Sequence, residues 1–294
     1  MGAPIFIVGP TAVGKSAVAV ELAKAKDCEI ISVDSMQVYC GLDLGTAKPT
    51  TIERASVPHH LIDVVELSES FDAATFVDMA ERANEKIKTP IFCGGTGLYF
   101  QAWLEGLGEA PGADIALRKK LEAMKTSVLL EELLKKDPVT HQVIDHQNRR
   151  RLVRAIEVIR LTGKPFSSQR AAWTGKTPPN FFLLQRELED LRQRIDARAD
   201  QMFASGLAEE TRVLLPVLER NRTAQQAIGY RQVIGHLRGE RDLPATVALV
   251  KSRTWQFARR QQTWFRKMCG AIRIEVGEEE FPDDTARRII NLLT

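Results

Sequence analysis

The octapeptide GPTAVGKS at residues 9–16 limits what this chain can fold into more than any other stretch. It fits the spacing G-x-x-x-x-G-K-[ST], follows the apolar run IFIV that ends at Val8, and leads into SAVAVELAKA, which has helical character. Strand, glycine-rich loop and helix in that order predict a phosphate cradle at one edge of an α/β sheet. Gly9 and Gly14 let the backbone around Pro10, Thr11, Ala12 and Val13 curl so that its N–H groups converge on anionic oxygens. Lys15 supplies a point charge, and the Ser16 hydroxyl can ligate Mg²⁺. The loop does not choose its ligand: ATP, GTP or another diphosphate would suit it.

The strand–helix alternation continues through EIISV, a helical stretch from about Ala73 to Lys88, and PIFCG. This predicts a P-loop NTPase-like parallel sheet flanked by helices. In such sheets ligands sit outside the carboxyl ends of the strands, which singles out the P-loop, Asp34–Gln37 and Gly94–Gly97. From Pro111 to Pro178 the pattern turns helical and rich in Lys, Arg, Glu and Leu, with no clear strand. It reads as an inserted all-helical subdomain, 111–178, in a core formed by 1–110 and 179–294. Further helices are expected over about Glu187–Leu218 and Pro244–Met268, with IRIEV as a last strand.

The 294 residues suffice for a full core, and 44% hydrophobic with 27% charged residues is ordinary for a globular protein. Cys28, Cys40, Cys93 and Cys269 are far apart with no C-x-x-C pair, as suits free thiols in a reducing compartment, and they carry no zinc signature. With no signal-like N-terminus and no apolar run near the roughly 18 residues of a membrane span, a cytoplasmic enzyme is expected.

Asp34 falls at the end of the second strand, where it could cap a helix, form a turn, order Mg²⁺ or act as a base on an acceptor. The third strand ends in GGTG rather than in the aspartate of a usual Walker B element, which favours a transferase over an ordinary ATPase. Arg198 lies within an apolar helical stripe of Leu188, Leu191, Ile195 and Met202, so its charge must be paired by a carboxylate or by ligand phosphates. The net charge of +3 conceals two basic segments, NRRRLVRAIEVIR and RTWQFARRQQTWFRK. In the first, Leu152, Ile156 and Ile159 share one face and leave Arg150, Arg151 and Arg154 mostly free. In the second, Arg259, Arg260 and Arg266 are interleaved with Trp255, Phe257, Trp264 and Phe265. Cations with interleaved rings suit RNA, whereas a solvated charged face over an aromatic core is the bland alternative.

GPTAVGKS, SVDSMQVYCGLDLGTAKP, PHHLIDV, GGTGLY, QAIGYRQ and RRQQTWFR together resemble the tRNA dimethylallyltransferase (IPP transferase) family, with matches running from Gly9 to about Arg266. The resemblance implies that the P-loop holds the diphosphate of dimethylallyl diphosphate and that the acceptor is N6 of the adenosine just 3′ of the anticodon. It implies Asp34 as the base, and Thr11, Lys15, Ser16, Mg²⁺ and Arg198 as stabilisers of charge on the departing diphosphate. A stacked adenosine cannot reach a deep crevice, so the base must be turned out into it. The resemblance places contacts to the tRNA anticodon stem-loop on Asp34, Ser35, Met36 and Gln37, on Thr96, and on Arg150, Arg151, Leu152, Val153 and Arg154. It adds Gln226, Ala227, Ile228, Gly229, Tyr230 and Arg231, together with Arg259, Arg260, Gln261, Trp264 and Arg266. It gives His59 and His60 no catalytic part, and a monomer is expected. The stretch from Pro111 to Thr140 is shorter than the insert usual in the family. The rival readings are an adenylate isopentenyltransferase acting on free AMP, ADP or ATP, a small-molecule P-loop kinase, and a non-enzymatic RNA-binding module.

Overall fold

The computed structural model describes residues 2–294. The chain forms two compact units: residues up to Leu104 together with Gly175–Thr294, and Glu105–Thr174.

In the first unit β1 (Ile5–Val8), α1 (Lys15–Lys26), β2 (Glu29–Val33), α2 (Thr51–Ser56), β3 (His59–His60), α3 (Ala73–Asn84), β4 (Pro90–Gly94) and α4 (Gly97–Glu105) follow one another. The second unit contains α5 (Ile115–Ala123), α6 (Thr126–Lys136), α7 (Pro138–Val143) and α8 (Arg149–Thr162). The chain then returns to the first unit with β5 (Phe181–Gln185), α9 (Leu188–Ala204), α10 (Leu207–Leu218), α11 (Tyr230–Leu237), α12 (Leu243–Phe265), β6 (Ile272–Glu275) and α13 (Pro282–Ile290). The six strands are all parallel, in the order β3-β2-β4-β1-β5-β6.

IFIV is buried along its whole length because the sheet is covered on both faces. Alternation sorts the side chains: Phe6, Phe92 and Phe181 stack within one core, while Ile5, Ile7, Ile91, Phe182 and Leu184 belong to the other. Since β4 lies between β1 and β2, the loops after these three strands emerge side by side. This brings the P-loop, Asp34 and the 95–96 turn together, as the topology rule for ligand sites anticipates.

The helical unit has its own small core of Leu121, Leu129, Leu133, Leu152 and Ile156. Its helices are tied by Glu157, whose fully buried carboxylate accepts from Arg118, Arg154 and the backbone of Asp114. The expected limits of 111–178 differ from the observed 105–174 for a local reason. Thr174 bonds to the Glu105 carboxylate and the Trp173 indole to the Gly106 carbonyl, closing the unit's two ends on each other. Lys176 and Thr177 pair instead with Cys269 beyond α12.

Six elements were not expected from the sequence, α4 and α11 among them. β5 is an apolar run too short to separate from a buried helix by pattern. β3 is two histidines at the sheet edge, and α2 is a single capped turn. The helical stretch expected over 187–218 breaks at Gly206, whose φ of 100° is left-handed, and α13 closes the chain.

Candidate active site

The site is built on a cavity of about 350 Å³ lined by Thr11, Lys15, Ser16, Asp34, Thr96, Arg198, Phe257, Arg260 and Gln261, among others. A larger cleft of about 540 Å³ lies against Val13 and Gly14 of the P-loop, with Arg186 and Arg194 as well as Glu278, Glu279 and Glu280 on its wall.

Lys15 opens α1 behind Gly14, whose φ of 107° is left-handed, and donates to the Pro10 carbonyl at 2.6 Å. Burial lowers its pKa to about 8; the charge of Arg198 pushes the same way, and Cys93 and Asp34 oppose it. Cys93 lies beneath, its thiol pushed up to about 11 by burial. Arg198 is held on α9 between the buried Ile195 and Ala199 and donates to the Thr11 hydroxyl at 3.4 Å. Burial lowers its pKa as well. Among the described residues no carboxylate lies within 4 Å of Arg198 or Lys15. Of the two pairings open in the sequence, no carboxylate is in ion-pair contact; Asp34 acts on both cations only from across the cavity, which leaves Lys15 and Arg198 with donors for an anion.

Asp34 is half-buried, and its Oδ1 accepts from the N–H groups of Met36 at 2.8 Å and Gln37 at 3.2 Å. The turn-former reading therefore holds, and it consumes one oxygen only. Oδ2 makes no hydrogen bond among the described residues and is the oxygen left for a proton. Ser16 is exposed at the start of α1. Its hydroxyl and Asp34 are hard oxygen donors on one cavity, a set that fits Mg²⁺ completed by phosphate oxygens and water.

Several expected RNA contacts also hold the fold together. The Gln37 amide donates to the carbonyls of Thr46 and Ala47 and accepts from Ser32, so it braces the cavity wall. Thr96 accepts from the Ser35 N–H and donates its own N–H to Val33. Tyr230 is fully buried; its hydroxyl donates to Glu210 and accepts from the Gly45 N–H, and a Cβ on Gly45 would lie 2.4 Å from its ring. QAIGYR is thus anchored inside the fold by Tyr230, with Ala227 and Gly229 buried, Ile228 half-buried and Gln226 and Arg231 exposed, while Gln226, Ala227 and Ile228 line the cavity.

In RRRLVR, Leu152 and Val153 are core residues, and Arg154 is spent on Glu157 and the Pro111 carbonyl. Arg150 and Arg151 remain exposed. On α12, Arg259, Arg260 and Arg266 are exposed, while Phe265 is buried and Trp264 packs on the core. Gln261 is buried and turned inward. Helical spacing sets Arg259 and Arg266 apart from these inner residues and leaves Arg260 at the cavity rim, which the residue-type pattern alone does not. His59 and His60 are structural: one ring bonds to the Val57 carbonyl and the other to Glu29.

The IPP transferase family model matches residues 37–268 of this chain. The chain belongs to that family. It is 46% identical over 274 residues to tRNA dimethylallyltransferase 1 of Trichlorobacter lovleyi, covering 89% of this chain and 90% of the relative. With tRNA dimethylallyltransferase of Geobacter metallireducens the identity is 42% over 285 residues, and 92% of each chain is covered. The crystal structure of the full-length tRNA isopentenylpyrophosphate transferase of Bacillus halodurans superposes with a TM-score of 0.72 at 36% identity, over 99% of this chain and 95% of that one. A eukaryotic dimethylallyltransferase acting on tRNA superposes with a TM-score of 0.75 at 27% identity, over 94% of this chain and 74% of that one. These solved relatives therefore share the overall fold of this chain.

Proposed function

We propose that the protein transfers the dimethylallyl group from dimethylallyl diphosphate to N6 of the adenosine 3′-adjacent to the anticodon in tRNA, releasing diphosphate. The observation that carries this reading is one cavity holding two cations in no ion-pair contact, Lys15 and Arg198, and a carboxylate with one unengaged oxygen, Asp34. That combination suits departure of an anion and deprotonation of an acceptor, and the names of the relatives supply prenyl transfer and tRNA.

In the proposed reaction the P-loop N–H groups, Lys15 and Arg198 hold the diphosphate, and Thr11 keeps Arg198 in place. The C1–O bond breaks with its electron pair going to the diphosphate, the N6 lone pair forms the bond to C1, and the N6 proton passes to Asp34 Oδ2. An aromatic amine is a weak nucleophile, so a positioned base is worth about 10²–10⁴ in rate. Charge developing on the leaving group is met by fixed cations rather than by reorganising water. A Mg²⁺ held by Ser16 would neutralise further diphosphate charge. The exposed Arg259, Arg260 and Arg266, with Arg150 and Arg151 on the helical unit, are the cations offered to RNA phosphates. The reading is of a cytoplasmic monomer; among the described residues no helix is long and apolar enough to cross a membrane.

The test incubates purified protein, Mg²⁺ and radiolabelled dimethylallyl diphosphate with unmodified tRNA in one reaction and AMP or ATP in another. Label in tRNA alone is the expected result. Label in the free nucleotide refutes the acceptor, and label in neither refutes prenyl transfer.

A further inference from the structure

Gln261 is the residue of RRQQTWFR whose place differs most from an RNA contact. It lies on α12 only 7% exposed, beside two freely exposed arginines. Its Oε1 accepts from the Thr11 N–H at 2.8 Å, and its Nε2 donates to the Gly95 carbonyl at 2.9 Å. The orientation of the amide follows from its partners: a backbone N–H only donates and a carbonyl only accepts, so the reverse arrangement would lose both bonds.

The two partners belong to the two loops that flank the reaction. Thr11 is the P-loop residue whose hydroxyl receives Arg198. Gly95 precedes Thr96, which bonds to Ser35 and Val33 on either side of Asp34. One side chain thus sets the spacing between the diphosphate end and the base end of the cavity.

The helix reaches these loops through missing side chains. A Cβ on Gly95 would sit 2.3 Å from Gln261 Nε2, and a Cβ on Gly97 would sit 2.2 Å from the Trp264 ring. Positions 261 and 264 share a helix face, so two glycines of GGTG receive two successive side chains of α12. The opposite face carries Arg259, whereas Arg260 flanks the bracket on the cavity wall, its guanidinium 5.9 Å from the Phe257 ring centroid.

We propose that Gln261 is a positioning residue, the bracket by which α12 holds the P-loop and the 95–96 turn at their working separation. The proposal rests on the prenyl-transfer reading above. Because the arginines available to RNA are on the same helix turn, RNA seated there bears directly on the bracket.

The experiment compares wild-type protein with Gln261→Met, which keeps length but neither bond, in transfer to tRNA and in tRNA binding. Gln261→Met is expected to lower kcat at saturating substrates by about 10–100-fold, the loss typical of a displacement near 1 Å, and to change the Kd for tRNA by less than about twofold. A KM-against-kcat split of this kind separates positioning from grip, and the melting temperature of the variant reports its fold. A second variant, Gly95→Ala, leaves Gln261 in place and displaces its amide, so it reproduces the kcat loss even where Gln261→Met folds poorly. The double variant loses little more than the worse single one, because both act through the same side-chain bracket.

Weakened tRNA binding with kcat intact overturns the proposal in favour of an RNA grip. Wild-type rates in Gln261→Met overturn it outright. Wild-type protein that labels no tRNA overturns the parent reading and this role with it, whereas active wild type beside an equally active variant overturns the bracket alone.

Discussion

The affinity of the site for an alkyl diphosphate should fall with a single-proton slope above pH 8. Lys15 has its pKa lowered from 10.5 to about 8, chiefly by burial, in the ligand-free site. A bound diphosphate favours the charged lysine and raises that value, so binding takes up a proton wherever free Lys15 is neutral. With a pKa of about 8, Lys15 is about 90% protonated at pH 7 and about 10% at pH 9, and the affinity drops about tenfold between them. A lysine at the ordinary 10.5 would leave affinity constant within a few per cent over that interval. The diphosphate ester itself has lost its last proton by about pH 7, the second ionisation of a phosphate lying near 6, and Cys93 at about 11 remains a thiol. Calorimetry with dimethylallyl diphosphate in buffers of differing ionisation enthalpy measures both quantities, with about half a proton taken up at pH 8. Lys15→Arg abolishes the dependence because arginine stays charged throughout. An affinity flat from pH 7 to 9 in the wild type would refute the argument from burial.

Asp34→Asn keeps an oxygen for the N–H groups of Met36 and Gln37 and removes the base; kcat should fall about 10²–10⁴-fold in single-turnover transfer while tRNA affinity stays within a few-fold. Arg260→Ala should weaken tRNA binding and reduce the slope of log K against log salt by about one, whereas Arg154→Ala, already paired with Glu157, should leave that slope unchanged and lower the melting temperature. Glu157→Gln should cost about 2 kcal/mol in urea unfolding of the full chain, at the low end for a buried charged pair because both arginines reach water. Burial raises the Glu157 pKa, but Arg118 and Arg154 outweigh it and leave the pKa below the ordinary 4.5. Its stabilising effect is therefore complete above that value and drains as pH falls through the lowered one, an effect that acid titration of the wild type shows and Glu157→Gln lacks.

What could be read beforehand was whatever depends on local pattern. GPTAVGKS gave away β1, the loop and α1 because glycine spacing and an apolar run are local quantities. Asp34 was legible because a strand ends just before it. What stayed hidden depends on partners distant in sequence: Gln261 acts on Thr11, 250 positions away, and Tyr230 on Gly45, 185 away. Residue type does not distinguish an outward arginine such as Arg151 from Arg154, whose role is set by Glu157 and a carbonyl at Pro111. The helical phase of α12 was available in the sequence, and placing Gln261 with Trp264 and Phe265 on one face would have separated the inner residues from Arg259 and Arg266.

The position of the helical unit between β4 and β5 has a consequence for synthesis. When Gly94 leaves the ribosome, β1 to β4 can already pair, yet the second edge of β1 has no neighbour until Phe181–Gln185 appears. That is roughly ninety residues later, or about 5–20 s at ordinary translation speeds. Through this interval Ile5–Val8, apolar along its whole length, is an unprotected edge of the kind that recruits foreign strands. A shorter insert shortens that exposure.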